Sequence, residues 1–169
     1  NVIIPDLGWA VDPQEVAELA GEKEEIYRAV VREKGIQPLP GVRELLVALR
    51  TREIPCAIGS STERANLDLP LDLMALRDFF RVIVSGEEVV HGKPDPSIFL
   101  LAAERLGLAP AECVVIEDAL VGIEAARRAG MPVVAVATTN PLDALGAANA
   151  VVPTMAEITP ELLASLARG

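Results

Sequence analysis

The stretch VVIEDALVGIEAARRAGM, Val114 to Met131, decides how this chain is read. Its opening residues, Val114 to Ile116, are a short all-apolar run, the pattern of a buried strand. The run stops at two adjacent carboxylates, Glu117 and Asp118, and a helical pattern begins within a few residues. In an open α/β sheet, ligands collect beyond the carboxyl ends of the strands. An acidic pair there suits a hard cation such as Mg²⁺, which takes oxygen ligands and keeps waters that a phosphate can displace. The same pair would equally cap the following helix and favour its positive end.

Two further strings bear on that choice. IPCAIGSST, residues 54–62, is a second buried strand that ends in three consecutive hydroxyls, Ser60, Ser61 and Thr62. HGKPDPSIF, residues 91–99, sets Lys93 in a loop bounded by Gly92 and Pro94, ahead of a helix expected to be capped by Asp95 with Pro96 in its first turn. A neutral hydroxyl donor, a fixed positive charge and a carboxylate pair are what a bound phosphoryl group needs. Phosphoryl transfer depends on positioning and on neutralising the equatorial oxygens more than on elaborate covalent chemistry. Each motif is weak alone. In this order, each at a strand end or before a helix, they point together to phosphoryl chemistry.

The set resembles the haloacid dehalogenase-like hydrolase superfamily, in its helical-capped β-phosphoglucomutase and phosphatase-like subgroup. AIGSST, GKPDPSIF, VVIEDALVGIEAARRAGM and PLPGVRELL (residues 38–46) carry the resemblance, which extends over nearly the whole chain. It implies that Ser60 holds a phosphoryl oxygen, with Ser61 and Thr62 beside it in the substrate-binding turn. Lys93 would bridge the phosphoryl group and the nucleophile. Asp118 would ligate Mg²⁺, and Glu117 would do so directly or through water.

The resemblance also implies an aspartate nucleophile in a DxDG-type motif at the end of the first strand, and the sequence contains none. Asp6 is followed by Leu7 and Gly8 without a second carboxylate; Asp12, before Pro13 and Glu15, has the grammar of a helix start. The chain is therefore expected to be an amino-terminally shortened piece, its aspartyl-phosphate forming on a residue outside it. In the family the first strand lies between the strands ending at Ser60 and Glu117. A strand's worth of unpaired backbone groups, at roughly 1–3 kcal/mol each, would exceed a usual net stability of about 5–15 kcal/mol. These 169 residues alone are accordingly expected to be inactive and poorly folded.

The expected fold is α/β: a Rossmann-like parallel sheet flanked by helices, without its central first strand, joined to the remnant of a helical cap. Residues 1–37 are assigned to the carboxyl-terminal part of the cap and 38–169 to the core. In the cap remnant Val16, Leu19, Ile26, Tyr27 and Val30 recur at helical spacing, and Glu22 to Glu25 form a solvated charge run. Pro38, Pro40 and Gly41 then punctuate the chain as a linker. In the core, strands are expected at 54–59, 81–85, 113–117, 132–137 and 150–152. Helices are expected at 63–76 (interrupted by Pro70), 96–106, 120–129 and 160–167. Gly107 and Gly130 stand where helix ends favour a left-handed residue.

Composition sets the remaining bounds. A net charge of −10, with three Phe, one Tyr and one Trp, argues against nucleic acid and anionic membrane partners. No apolar stretch has membrane-spanning length and no signal peptide is visible, so cytoplasm is the expected location. Cys56 and Cys113 fall in or beside core strands, outside any metal-ligand spacing, as small buried side chains. His91 is the single histidine, expected as a loop residue; Arg64 is expected on the surface and Trp9 in cap packing.

The activity expected of the intact protein is Mg²⁺-dependent phosphoryl transfer from a small phosphorylated metabolite of sugar-phosphate type. Hydrolysis of the aspartyl-phosphate makes it a phosphatase, the favoured reading; return of the phosphoryl group to a sugar makes it a phosphomutase. A non-catalytic binding or regulatory relic of the fold stands as a third reading. Dehalogenation of a 2-haloacid, which uses no metal in this superfamily, is opposed by the Glu117–Asp118 pair. Oligomeric state and the specific substrate are left open by the residues.

Overall fold

The computed structural model describes residues 12–167, apart from the side chains of Pro13 and Ala17. Asp6 and Trp9 lie outside the described residues. The chain divides into two compact units, residues 1–36 and 37–169. The described part of the first is one helix, α1 (Pro13–Lys34), ended by Gly35. Asp12 is its N-cap, the carboxylate accepting from the Gln14 amide at 2.9 Å. That is the helix-start role its Asp-Pro context predicts. Leu19, Ile26, Tyr27 and Val30 of α1 are exposed.

The second unit alternates helix and strand: α2 (Val42–Thr51), β1 (Cys56–Gly59), α3 (Arg64–Leu73), β2 (Phe80–Val84) and α4 (Ser97–Leu106). It continues with β3 (Val115–Glu117), α5 (Leu120–Arg128), β4 (Val133–Val136), β5 (Ala150–Val152) and α6 (Pro160–Leu166). All strand pairings are parallel, as alternation with helices requires. Every expected strand and helix is present, to within a few residues at the ends. Gly107 and Gly130 adopt φ of 73° and 71° after α4 and α5. Pro70 does not break α3, which runs on to Leu73. There the chain turns, Ala75 taking φ of 51° and the Leu76 amide closing onto the Leu71 carbonyl at 2.9 Å.

The sheet is in two parts among the described residues, β1–β2 and β3–β4–β5. One edge of β1 and one edge of β3 have no strand partner there. No strand of the described residues occupies the place expected between them. Side-chain packing nevertheless joins the two parts. Val84 of β2, Ile98 and Phe99 of α4, Val115 of β3, Ile123 and Ala126 of α5 and Val133 of β4 belong to one buried cluster. Leu45 and Leu49 of α2 cover the opposite face with Val134, Val136 and Ile158. β4 is buried at every residue, which accounts for the unbroken apolar run from Val133 to Val136.

Candidate active site

The candidate residues collect where β1 and β3 end. Lys93 and Glu117, 24 positions apart, form an ion pair between Lys93 Nζ and Glu117 Oε1. Only 13% of the lysine side chain and 8% of the glutamate side chain are exposed. Two charges that deep need each other, since removal of either strands the survivor in a poorly solvated place. The other Glu117 oxygen, Oε2, accepts from the amides of Asp118 at 2.8 Å and Ala119 at 2.9 Å. Glu117 thereby ties the turn between β3 and α5 to the lysine loop, and both of its oxygens are engaged.

Phe99 connects this pair to β1. Its ring centroid lies 4.6 Å from Lys93 Nζ, a cation–π contact that holds the ammonium from below. The same ring packs against Gly59, where a Cβ would come within 3.1 Å of it. Ser60 follows directly. Its amide continues the β1–β2 ladder to the Val84 carbonyl at 3.0 Å, and its Oγ accepts from the Thr62 amide at 3.2 Å. That hydroxyl is used as an acceptor, and among the described residues its proton has no acceptor. Ser61 and Thr62 are exposed in the turn. Gly86 allows the loop after β2 to reach that turn: its amide donates to the Thr62 carbonyl at 3.0 Å, and a Cβ would strike the Ser61 carbonyl oxygen at 2.3 Å.

The lysine loop is shaped by Asp95, whose carboxylate accepts from the amide and hydroxyl of Ser97. The Ser97 hydroxyl first, then its amide, hold the Asp95 carboxyl below the usual range. Pro96, one residue later than expected, is the N-cap of α4. His91 is exposed in this loop. Arg64 is turned away from the site, its guanidinium on Asp68 at 2.9 Å and on the Ile83 carbonyl at 3.3 Å. Burial pushes both thiols up, at Cys56 and, with Glu112 adding to it, at Cys113.

Asp118 is held from the loop that follows the neighbouring strand, β4. Thr138 Oγ1 donates to its Oδ2 at 3.0 Å, while Thr139 Oγ1 and Asn140 Nδ2 donate to its backbone carbonyl at 3.0 and 2.9 Å. Its Oδ1 accepts no hydrogen bond from the described residues. A carboxylate oxygen free of protein donors, on a half-buried residue just past a strand end, fits one ligand position of Mg²⁺, which is commonly held by one or two carboxylates plus substrate oxygens and waters. No group of three or more His, Cys, Asp or Glu arranged for a metal occurs among the described residues.

Sequence reasoning thus names Ser60, Lys93, Glu117 and Asp118, and the structure puts Lys93 and Glu117 in contact with Asp118 adjoining. It misses Phe99, which reads only as a core residue of α4, and the Thr138–Thr139–Asn140 loop. The latter carried a signal: three polar side chains immediately after an apolar strand, the same pattern as Ser60 to Thr62.

The residues from 6 to 130 match the haloacid dehalogenase-like hydrolase family, and the chain belongs to that family. It is 38% identical over 154 residues to the chloroplastic 5-amino-6-(5-phospho-D-ribitylamino)uracil phosphatase of Arabidopsis thaliana, covering 90% of this chain and 41% of that protein. It is 42% identical over 125 residues to the β-phosphoglucomutase of Bacillus subtilis, covering 74% of this chain and 53% of the relative. The chain therefore spans about half the length of the curated relatives it matches. In three dimensions it is similar to a haloacid dehalogenase-type hydrolase from Entamoeba histolytica. The TM-score is 0.89 at 28% identity, over 99% of this chain and 77% of that one.

Proposed function

We propose that the intact protein is a Mg²⁺-dependent phosphatase of a small phosphorylated metabolite, of sugar-phosphate type, acting through an aspartyl-phosphate on a residue outside the given sequence. The observation that carries this reading is the buried Lys93–Glu117 pair seated on Phe99 where β1 and β3 end. A lysine fixed by a carboxylate and a ring keeps ammonium protons for a phosphoryl group, at a location set before substrate arrives. Ser60, with its hydroxyl proton uncommitted, donates to a second phosphoryl oxygen, and Ser61 and Thr62 line the same turn. Asp118 holds the cation, which when bound supplies charge neutralisation for the phosphoryl oxygens. Glu117, with both oxygens occupied, orients Lys93 and reaches a cation through water.

In the reaction, a carboxylate oxygen forms a bond to phosphorus as the ester P–O bond breaks and the departing oxygen takes a proton. Water then attacks the acyl phosphate, releasing inorganic phosphate and restoring the carboxylate. Lys93 and Ser60 stay in contact with the phosphoryl oxygens through both steps. Likeness to a β-phosphoglucomutase supports a second reading, in which the acyl phosphate is returned to a sugar hydroxyl instead of water.

The test is a panel of phosphorylated sugars and polyols given to the intact protein with Mg²⁺ or with a chelator. Phosphate release that needs Mg²⁺ and is lost in Lys93→Met is the expected result. Interconversion of sugar-phosphate isomers without phosphate release would favour the mutase. Neither activity on any member would overturn the reading.

A further inference from the structure

The register of β3 on β4 sets Glu117 beside Ala135, so the loop that follows β4 runs past Asp118. Three successive side chains of that loop close on this one residue. Thr138 takes the carboxylate oxygen Oδ2; Thr139 and Asn140 take the backbone carbonyl, and Asn140 also donates to the Thr139 hydroxyl at 3.2 Å. None of these bonds is needed to complete the sheet. The β3–β4 ladder ends at the Glu117–Ala135 pair, and the Ala137 amide goes to Val152.

The terminal torsion of an aspartate is broad, so an unrestrained carboxylate presents either oxygen in a range of directions. With its backbone pinned at the carbonyl and Oδ2 bonded to Thr138, Asp118 has one oxygen left to offer. We infer that Thr138 is a positioning residue for the cation: its hydroxyl fixes the Asp118 carboxylate so that Oδ1 is the oxygen presented to the metal. The inference rests on the reading of Asp118 as the cation's carboxylate. Groups that orient a metal ligand commonly matter about tenfold to a hundredfold in affinity or activity. Thr138 is exposed, so its replacement leaves the core untouched.

The experiment uses the intact protein and Mn²⁺, an oxygen-preferring cation whose free fraction is counted by electron paramagnetic resonance. Thr138→Val keeps the branched shape and removes the hydroxyl; Thr138→Ser restores it. Mn²⁺ affinity without substrate falls about tenfold in Thr138→Val and returns to near wild type in Thr138→Ser. In turnover, the Mg²⁺ concentration for half-maximal rate rises in Thr138→Val while the rate at saturating Mg²⁺ stays close to wild type. Asp118→Ala is the control that separates the two claims. Loss of Mn²⁺ binding in Asp118→Ala with wild-type binding in Thr138→Val overturns the inference and leaves the role of Asp118 standing. Wild-type binding in Asp118→Ala overturns both.

Discussion

Gly122, in the first turn of α5, lies so close to Glu117 that a Cβ on it would meet the carboxylate oxygens at 2.0 and 2.6 Å. The helix can start where it does, over the turn that carries the acidic pair, because this position has no side chain. Glu117 cannot step aside cheaply, since Lys93 holds one of its oxygens and two backbone amides hold the other.

Gly122→Ala sets two effects against each other. Alanine favours a helix interior by about 1 kcal/mol over glycine. Overpacking against a pinned carboxylate costs roughly 1–3 kcal/mol, and here the displaced group is half of a buried ion pair. We expect the loss to win, with a lowered urea midpoint and turnover reduced on the order of tenfold to a hundredfold as Lys93 shifts with its partner. Unchanged turnover with higher stability would mean that Glu117 relaxes freely and that its position is unimportant.

Lys93→Met keeps most of the apolar stem over Phe99 and removes the charge. Loss of one preorganised charge contact costs about 3 kcal/mol at the transition state, roughly a hundredfold in rate. It also leaves Glu117 buried without its counter-ion, a penalty of about 3–5 kcal/mol where no other donors compensate. The two amides on Oε2 bring the expectation to the lower end of that range. Adding Glu117→Gln to Lys93→Met should recover stability, read as the urea midpoint, without recovering turnover. Recovery of both by the double variant would count against a chemical role for Lys93.

The order of elements was legible because each apolar run and each break has a local cause. Val133 to Val136 reads as a strand from composition, and Asp12-Pro13 as a helix start from two residues. Ser60, Glu117 and Asp118 were legible as candidates because polar groups at strand ends interrupt apolar runs, and Lys93 because Gly92 and Pro94 frame it in a loop ahead of a helix. The contact between Lys93 and Glu117 was not, since nothing in spacing tells which oxygen of an acidic pair turns inward. Phe99 was hidden for a similar reason: a core phenylalanine and a ring beneath an ammonium look the same in sequence. Gly122 was hidden as well: in sequence it is one more small residue of a helix, yet the glutamate at the end of β3 requires it.

Glu88, which caps the loop after β2, gives a pH signature of stability. The Ser85 amide, at 2.9 Å, and then Arg105 hold its carboxyl below the usual glutamate range. A lowered folded-state value means stability that is present above the unfolded glutamate value, about pH 4.3, and is lost as pH falls through the folded value. Glu88→Gln should therefore be less stable than wild type at neutral pH, the gap narrowing as both are taken into acid. Urea midpoints measured from pH 7 to pH 3 check this. A gap that widens on acidification would reverse the assignment.

Asp118→Ala separates chemistry from folding. Its backbone carbonyl keeps the bonds from Thr139 and Asn140, so the turn stays anchored when the carboxylate is gone. What the fold loses is the single bond to Thr138 at the protein surface, worth about 1 kcal/mol net and about 2–4 °C in Tm for a chain of this size. On the role proposed for Asp118, the reaction loses a ligand of the cation, and with it several kcal/mol of charge stabilisation, on the order of a thousandfold in rate. Thermal unfolding and Mg²⁺-dependent phosphate release, measured on the same preparation of the intact protein, distinguish the two. Wild-type turnover with Mg²⁺ still required would place the cation elsewhere, and a collapse of Tm would make Asp118 a structural residue first.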